Sequence, residues 1–206
     1  MQESKSDKSI REKIMESAII EFSLHGYYRT SIDAIVKRAQ VSKGVVFYHF
    51  ENKSNLFLVC LDDCLDQFEK AQVENGLWEE KELFNRLLLQ TKIKVAFMMK
   101  HKAISKFFMA AATVDLSKET KAIRDRVDSY REQVTQRLIE NADDSYIRPG
   151  VDPQAAFDFA WSAVDTYSNK LLSRYDNWET MLDDVDATVA EFTKFLEMIK
   201  YGIYKQ

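Results

Sequence analysis

Proline and glycine are almost missing from this chain: its 206 residues include 2 Pro and 5 Gly. Turn-rich β folds reverse direction far more often than so few such residues allow, so long helices are favoured from the outset. Cysteine is equally scarce. Cys60 and Cys64 supply no disulfide framework, and on a helix their spacing puts them one turn apart, where the backbone opposes a bridge. They read as two small buried hydrophobes, with redox sensing or metal binding as the alternative. No run approaches the roughly 20 uncharged apolar residues of a membrane span. The opening MQESKSDKSIREK is polar and has no apolar secretory segment, so the cytoplasm is the expected compartment. The only histidines, His25, His49 and His101, lack metal-ligand spacing, and neither a Gly-rich phosphate loop nor a marked nucleophile accompanies them. No enzyme, cofactor or metal is expected.

What is present is ordinary for a folded soluble chain, with 46% hydrophobic and 30% charged residues. The length suits a small domain joined to a larger one. The total charge of −4 is unevenly spread: residues 1–55 carry nine Lys and Arg against seven Asp and Glu, a net of +2, which leaves −6 for the rest. A weakly basic head on an acidic body fits a local contact with nucleic acid better than a charge-driven coating.

Apolar periodicity then lays out the helices. Ile10, Ile14, Ala18 and Phe22 recur every fourth residue and predict a helix from about 8 to 25, ended by Gly26. His25 falls in its last turn, where a ring N–H or a positive charge suits the helix end. Thr30-Ser31 is an N-cap for a second helix with Ile32, Ile35, Val36 and Ala39 on one stripe. Gln40-Val41 is a tight connection, and Ser42 caps a third short helix through Val45, Val46 and Phe50. Three short helices so connected form a helix-turn-helix. Asn52-Lys53-Ser54 starts a fourth helix, with Leu56, Phe57, Cys60, Leu61, Cys64, Leu65 and Phe68 inward, and Glu74-Asn75-Gly76 stops it. Further helices are expected over about 79–100, 102–114 and 117–142, then from Asp152-Pro153 to about 174, and finally over about 178–202. The fold class is therefore all-α with about nine helices. The division drawn is a helix-turn-helix domain over 1–53 (the motif itself at about 31–50) and a helical domain over 54–206.

Within that frame the segment REKIMESAIIEFSLHGYYRTSIDAIVKRAQVSKGVVFYHFENKSNLF resembles the DNA-binding domain of the tetracycline-repressor (TetR) family. The matching elements are Phe22…Gly26-Tyr27, Thr30-Ser31, Val41-Ser42-Lys43-Gly44, Tyr48-His49-Phe50 and Lys53…Leu56-Phe57. The later part resembles the family in length, helix content and the Pro149-to-Pro153 entry to the penultimate helix. The resemblance implies a homodimeric transcription regulator, by family norm a repressor, released from a palindromic operator by a small apolar or aromatic effector. A helical small-molecule-binding protein without a DNA role is the alternative.

Physical chemistry gives the head residues their roles. A helix starting at Ser42 can present its N-terminal N–H groups to DNA. Gly44 permits close approach, or is simply a tolerated glycine near a helix start. Lys43 can bond guanine O6 and N7 directly, or hold only phosphate. Thr30, Ser31, Tyr48, His49 and Lys53 are donors suited to phosphate, capping being the other role of the first two and a solvated surface that of Lys53. Phe47 departs from the Tyr common in the family and can pack on a thymine methyl or a sugar.

Two groups of residues are assigned to the larger domain. Trp178, Leu182, Val185, Val189, Phe192, Leu196 and Ile199 alternate spacings of four and three, a seam suited to bundle packing. With Ala160, Val164, Tyr167 and Leu171 on the preceding helix it is expected to form a four-helix dimer interface, or else an intramolecular core. Phe68, Phe97, Met98, Phe107, Phe108, Met109, Tyr130 and Trp161 are candidate pocket residues or plain core, and Asp165 a candidate counter-charge to a ligand.

Overall fold

A computed structural model describes residues 5–115, 117, 119–140, 142–172, 174, 180 and 184–203. Among these there are nine α-helices and no β-strand: α1 (Lys5–Arg29), α2 (Ile32–Ala39), α3 (Lys43–Phe50), α4 (Lys53–Glu74), α5 (Leu83–Lys100), α6 (Lys102–Ala112), α7 (Lys121–Ile139), α8 (Pro153–Leu172) and α9 (Val185–Ile203). The all-α expectation holds, and most boundaries fall where the punctuation put them. Asn52 Oδ1 accepts from the Asn55 N–H at 2.8 Å to open α4. Asp152 Oδ1 does the same for α8 through Ala155 N–H at 2.8 Å. Gly26, with φ +71° and ψ 176°, breaks the first helix where expected, and a short segment beyond this kink carries α1 to Arg29.

The chain packs as two compact units, Met1–Glu69 with Lys100–Arg131 and Lys70–Met99 with Glu132–Gln206. The helix-turn-helix therefore does not stand apart at residue 53. Its first helix shares a core with α4 and α6. Every residue expected to point inward from α4, from Leu56 to Phe68, is buried. At the centre of the first unit Phe22, Tyr27, Phe57 and Phe107 form one aromatic cluster. Phe57 meets Phe22 edge-on at 4.7 Å, Tyr27 at 5.4 Å and Phe107 at 4.6 Å between ring centres. Such pairs add about 0.5–1.5 kcal/mol each to the gain from burial. Phe107, expected as a pocket residue, is fully buried in this cluster instead, because only a large ring from α6 fills the space between Phe22 and Phe57.

The second unit carries a buried cation. The Arg86 guanidinium donates from Nη1 to the carbonyls of Leu138 (2.8 Å) and Glu140 (2.9 Å) and from Nε to Glu80 (2.7 Å). It thereby satisfies carbonyls at the end of α7, where a positive charge is favoured. Glu82, also buried, accepts from the Phe84 N–H at 2.8 Å to open α5 and pairs with Lys200 of α9 at 2.8 Å.

The seam expected at a dimer interface lies differently. Ala160, Val164 and Leu171 on α8, with Val185, Phe192 and Leu196 on α9, are already buried within one chain, and Tyr167 and Val189 are half-buried. The alternation of four and three marks the side each helix turns inward, and apart from Tyr167 and Val189 the described side chains it places there have little surface left for a second copy. Trp178 and Leu182 lie outside the described residues. The large apolar side chains left exposed on these helices are Phe159 (61%), Met198 (69%) and Tyr201 (69%).

Because the cluster is central to the first unit, Phe107→Ala should destabilise the protein by about 3–5 kcal/mol. Urea unfolding followed by circular dichroism measures this, and a loss below about 1 kcal/mol would show that α6 is not part of that core.

Candidate nucleic-acid interface

The α2–turn–α3 element is fixed from below and open above. Glu21 of α1 is buried and pairs with Arg38 of α2 at 2.6 Å. Ile35 and Ala39 of α2 and Val46 and Phe50 of α3 fill the lower face. Ser31 caps α2, its Oγ accepting from the Ala34 N–H at 3.1 Å. The turn is made by Gln40 in the left-handed region (φ +54°), while the Val41 N–H returns to the Val36 carbonyl at 3.2 Å. Glu51, directly after α3, also has a positive φ of 62°. Non-glycine residues avoid this region at about 1–2 kcal/mol apiece, so α3 is held at both ends by costly backbone.

The open face of α3 carries most of the residues expected there. Ser42 occupies the N-cap position with extended backbone, yet its hydroxyl makes no capping bond. A Cβ on Gly44 would meet nothing nearer than Ser42 Oγ at 3.9 Å, so nothing inside the molecule requires glycine at this point. Tyr48 is 74% exposed, Phe47 is exposed, and His49 stands edge-on to Tyr48 at 5.1 Å. Lys43 reaches back across the turn to Asp33 Oδ1 at 2.9 Å. Both groups are well exposed, so the pair holds Lys43 by about 1 kcal/mol at most and is readily given up. Nothing in the sequence marked Asp33 as that partner, because ten residues and a turn separate the two.

Two expected donors turn inward. The Thr30 hydroxyl is buried, within bonding distance of the carbonyls of Gly26 (2.7 Å) and Glu21 (3.1 Å), so it braces the chain behind Gly26 instead of facing out. Lys53 places its ammonium 4.3 Å from the centre of the Tyr27 ring and donates to the Tyr27 carbonyl at 3.2 Å.

Beneath this face lies a polar junction that sequence reasoning missed. Tyr27 donates its hydroxyl to Glu119 at 2.6 Å; burial, then that carboxylate, pushes the phenol well above its ordinary range. Ser54 donates to the Glu119 carbonyl at 3.0 Å. The Tyr28 hydroxyl accepts from the Asp115 N–H at 3.3 Å. The Asp115 carboxyl is held well below the usual range by hydrogen bonds from Tyr28, Ser117 and Thr120. The start of α4 and the end of α1 are thus tied to the segment between α6 and α7. Periodicity cannot reveal such long-range polar contacts.

The candidate ligand residues are not brought together within either unit. Phe68, Phe107, Phe108, Met109 and Tyr130 belong to the first, while Phe97, Met98, Trp161 and Asp165 belong to the second. Met109 is half-exposed and Asp165 exposed, because each falls on the outward side of its helix. Cys60 and Cys64 are wholly buried, and burial pushes both thiols up, so neither offers a thiolate for redox chemistry.

Residues 14–60 match the family of bacterial regulatory proteins known as the tetR family. The chain is similar to the probable acrEF/envCD operon repressor of Escherichia coli, at 40% identity over 23% of this chain and 21% of that protein. It thus spans about a fifth of that relative's length. A longer match, 27% identical over 87% of this chain and 92% of the other, is to the transcriptional repressor AcnR of Corynebacterium glutamicum. In fold it is similar to NalD of Pseudomonas aeruginosa, the secondary repressor of the MexAB-OprM multidrug efflux pump, with a TM-score of 0.67, 17% identity and coverage of 98% and 100%.

The two N-cap serines should respond differently to truncation. Ser31→Ala should cost about 1 kcal/mol in urea unfolding, the usual loss for a working cap, whereas Ser42→Ala should change stability by less than about 0.5 kcal/mol. Equal losses would place the Ser42 hydroxyl in the fold rather than on the open face.

Proposed function

This chain is a member of the tetR family of bacterial regulatory proteins, and we propose that it is a ligand-responsive repressor that reads a palindromic operator as a homodimer. The observation that carries this reading is the open end of α3. There an uncommitted serine hydroxyl, a glycine with no internal reason to be glycine, and a weakly held lysine share one exposed helix start. Backbone N–H groups at such a start favour an anionic partner, and Gly44 lets the helix approach the groove. Ser42, Lys43, Gly44, Phe47, Tyr48 and His49 form the DNA-facing set, with Ser31 at its edge. Thr30 and Lys53 support it from within.

Two copies would pair through the exposed side of α8 and α9. Phe159, Met198 and Tyr201 supply the apolar surface, while the buried seam holds the two helices of each copy together. An effector that favours the released state over the bound one would shift the balance by its differential affinity.

Lys43 and Gly44 separate recognition from folding. Lys43→Ala should leave stability within about 0.5 kcal/mol, weaken operator binding, and relax base preference at one position per half-site by about 1–3 kcal/mol. Gly44→Ala should stabilise the fold by up to about 1 kcal/mol, since alanine is the better helix former, and yet weaken binding. Gel-shift titrations beside urea unfolding read both quantities. A Gly44→Ala protein that binds operator as tightly as the parent would remove α3 from the groove.

A further inference from the structure

Where α1 ends against α6, the first unit has a cleft of about 200 Å³. Tyr27 and Tyr28 line it from one side, their rings edge-to-face at 5.3 Å, and Ala110 and Val114 from the other. His25 and Arg29 also line it. None of the residues expected to bind an effector takes part. We propose that this cleft binds a monocyclic aromatic carboxylate, the ring between Tyr28 and α6 and the carboxylate on Arg29.

Size sets the first limit. A cavity of about 150 Å³ holds benzene, so about 200 Å³ accommodates one substituted ring. The lining sets the second: the half-exposed Tyr28 ring, an alanine and a valine favour a flat apolar body, the Tyr27 ring being buried. Charge sets the third. Arg29 donates from Nε to the His25 carbonyl at 3.2 Å, and no carboxylate pairs with its guanidinium among the described residues. A guanidinium fixed through Nε still presents its two terminal amino groups, the pair that grips a carboxylate. The nearby Asp115 carboxylate is a repulsive neighbour, but it is engaged by the Tyr28 hydroxyl, the Ser117 N–H and the Thr120 hydroxyl, the last two at 2.9 Å each. Backbone space is available as well: Gly26, with φ +71°, has nothing within 4 Å of a Cβ built on it.

An occupant here lies against the residues that lead directly into Thr30, Ser31 and α2. The site is independent of the DNA-binding reading and is tested without DNA. Calorimetric titration of the full chain with benzoate and with its neutral analogue benzamide, repeated for Arg29→Gln and for the cleft-filling Ala110→Leu, provides the comparison. Benzoate should bind the parent at least about tenfold more tightly than benzamide, the difference expected for one charged contact. Arg29→Gln should reduce that ratio to near one, and Ala110→Leu should abolish binding of both while circular dichroism shows an unchanged fold. Should Ala110→Leu perturb the fold, chemical-shift mapping of benzoate on the parent replaces it, with shifts expected at Ala110, Val114 and Tyr28. Equal affinities for the two probes, no binding up to 10 mM (about the weakest such titrations resolve), or shifts confined to the second unit would overturn the proposal.

Discussion

The packing of Phe22, Tyr27, Phe57 and Phe107 is the constraint on which the helix-turn-helix head depends. These rings come from α1, α4 and α6, and they make one core out of segments separated by some eighty residues. A three-helix head of about fifty residues buries too little apolar surface to be secure by itself. Drawing α6 and the start of α7 into its core gives α2 and α3 a firm base. The Glu21–Arg38 pair and the inward Thr30 hydroxyl then fix α2, and α2 in turn carries the strained turn at Gln40 and the helix that follows it.

The same arrangement ties the head to the segment between α6 and α7. Tyr27, Tyr28 and Ser54 all bond to the segment between α6 and α7, through Glu119 and Asp115. A shift of that segment must act on the end of α1 and the start of α4 together, since both are bonded to it. The contacts that stabilise the head are therefore also those through which a change elsewhere in the first unit would reach α3.

The helices and the inward sides of α2 and α3 were legible in the sequence because both depend on local chemistry. Ser31, Gln40-Val41, Asn52 and Asp152 mark ends by short-range hydrogen bonding, and Ile35, Ala39, Val46 and Phe50 mark the inward side by period. Two readings were left open by the sequence. Phe107 and Met109 sit in one apolar run, yet one is core and the other half-exposed, because composition does not say which side of α6 meets α1. The seam from Val185 to Leu196 was legible as a seam but not as to what closes it: a heptad-like stripe is the same whether its partner is a neighbouring helix or another chain. Thr30 and Lys53 were expected as donors to phosphate, but the Thr30 hydroxyl is bonded inside the molecule and Lys53 donates to the Tyr27 carbonyl.

The central claim is that two α3 helices, related by a dimer twofold, read DNA through their open ends. Selection of bound fragments from a random DNA pool by the purified full chain tests it most directly. The account predicts one enriched palindrome whose half-site centres lie about 10–10.5 base pairs apart or a multiple of that, matching successive major grooves on one side of the duplex. Recovery of no enriched sequence, or of a single asymmetric site, would contradict it.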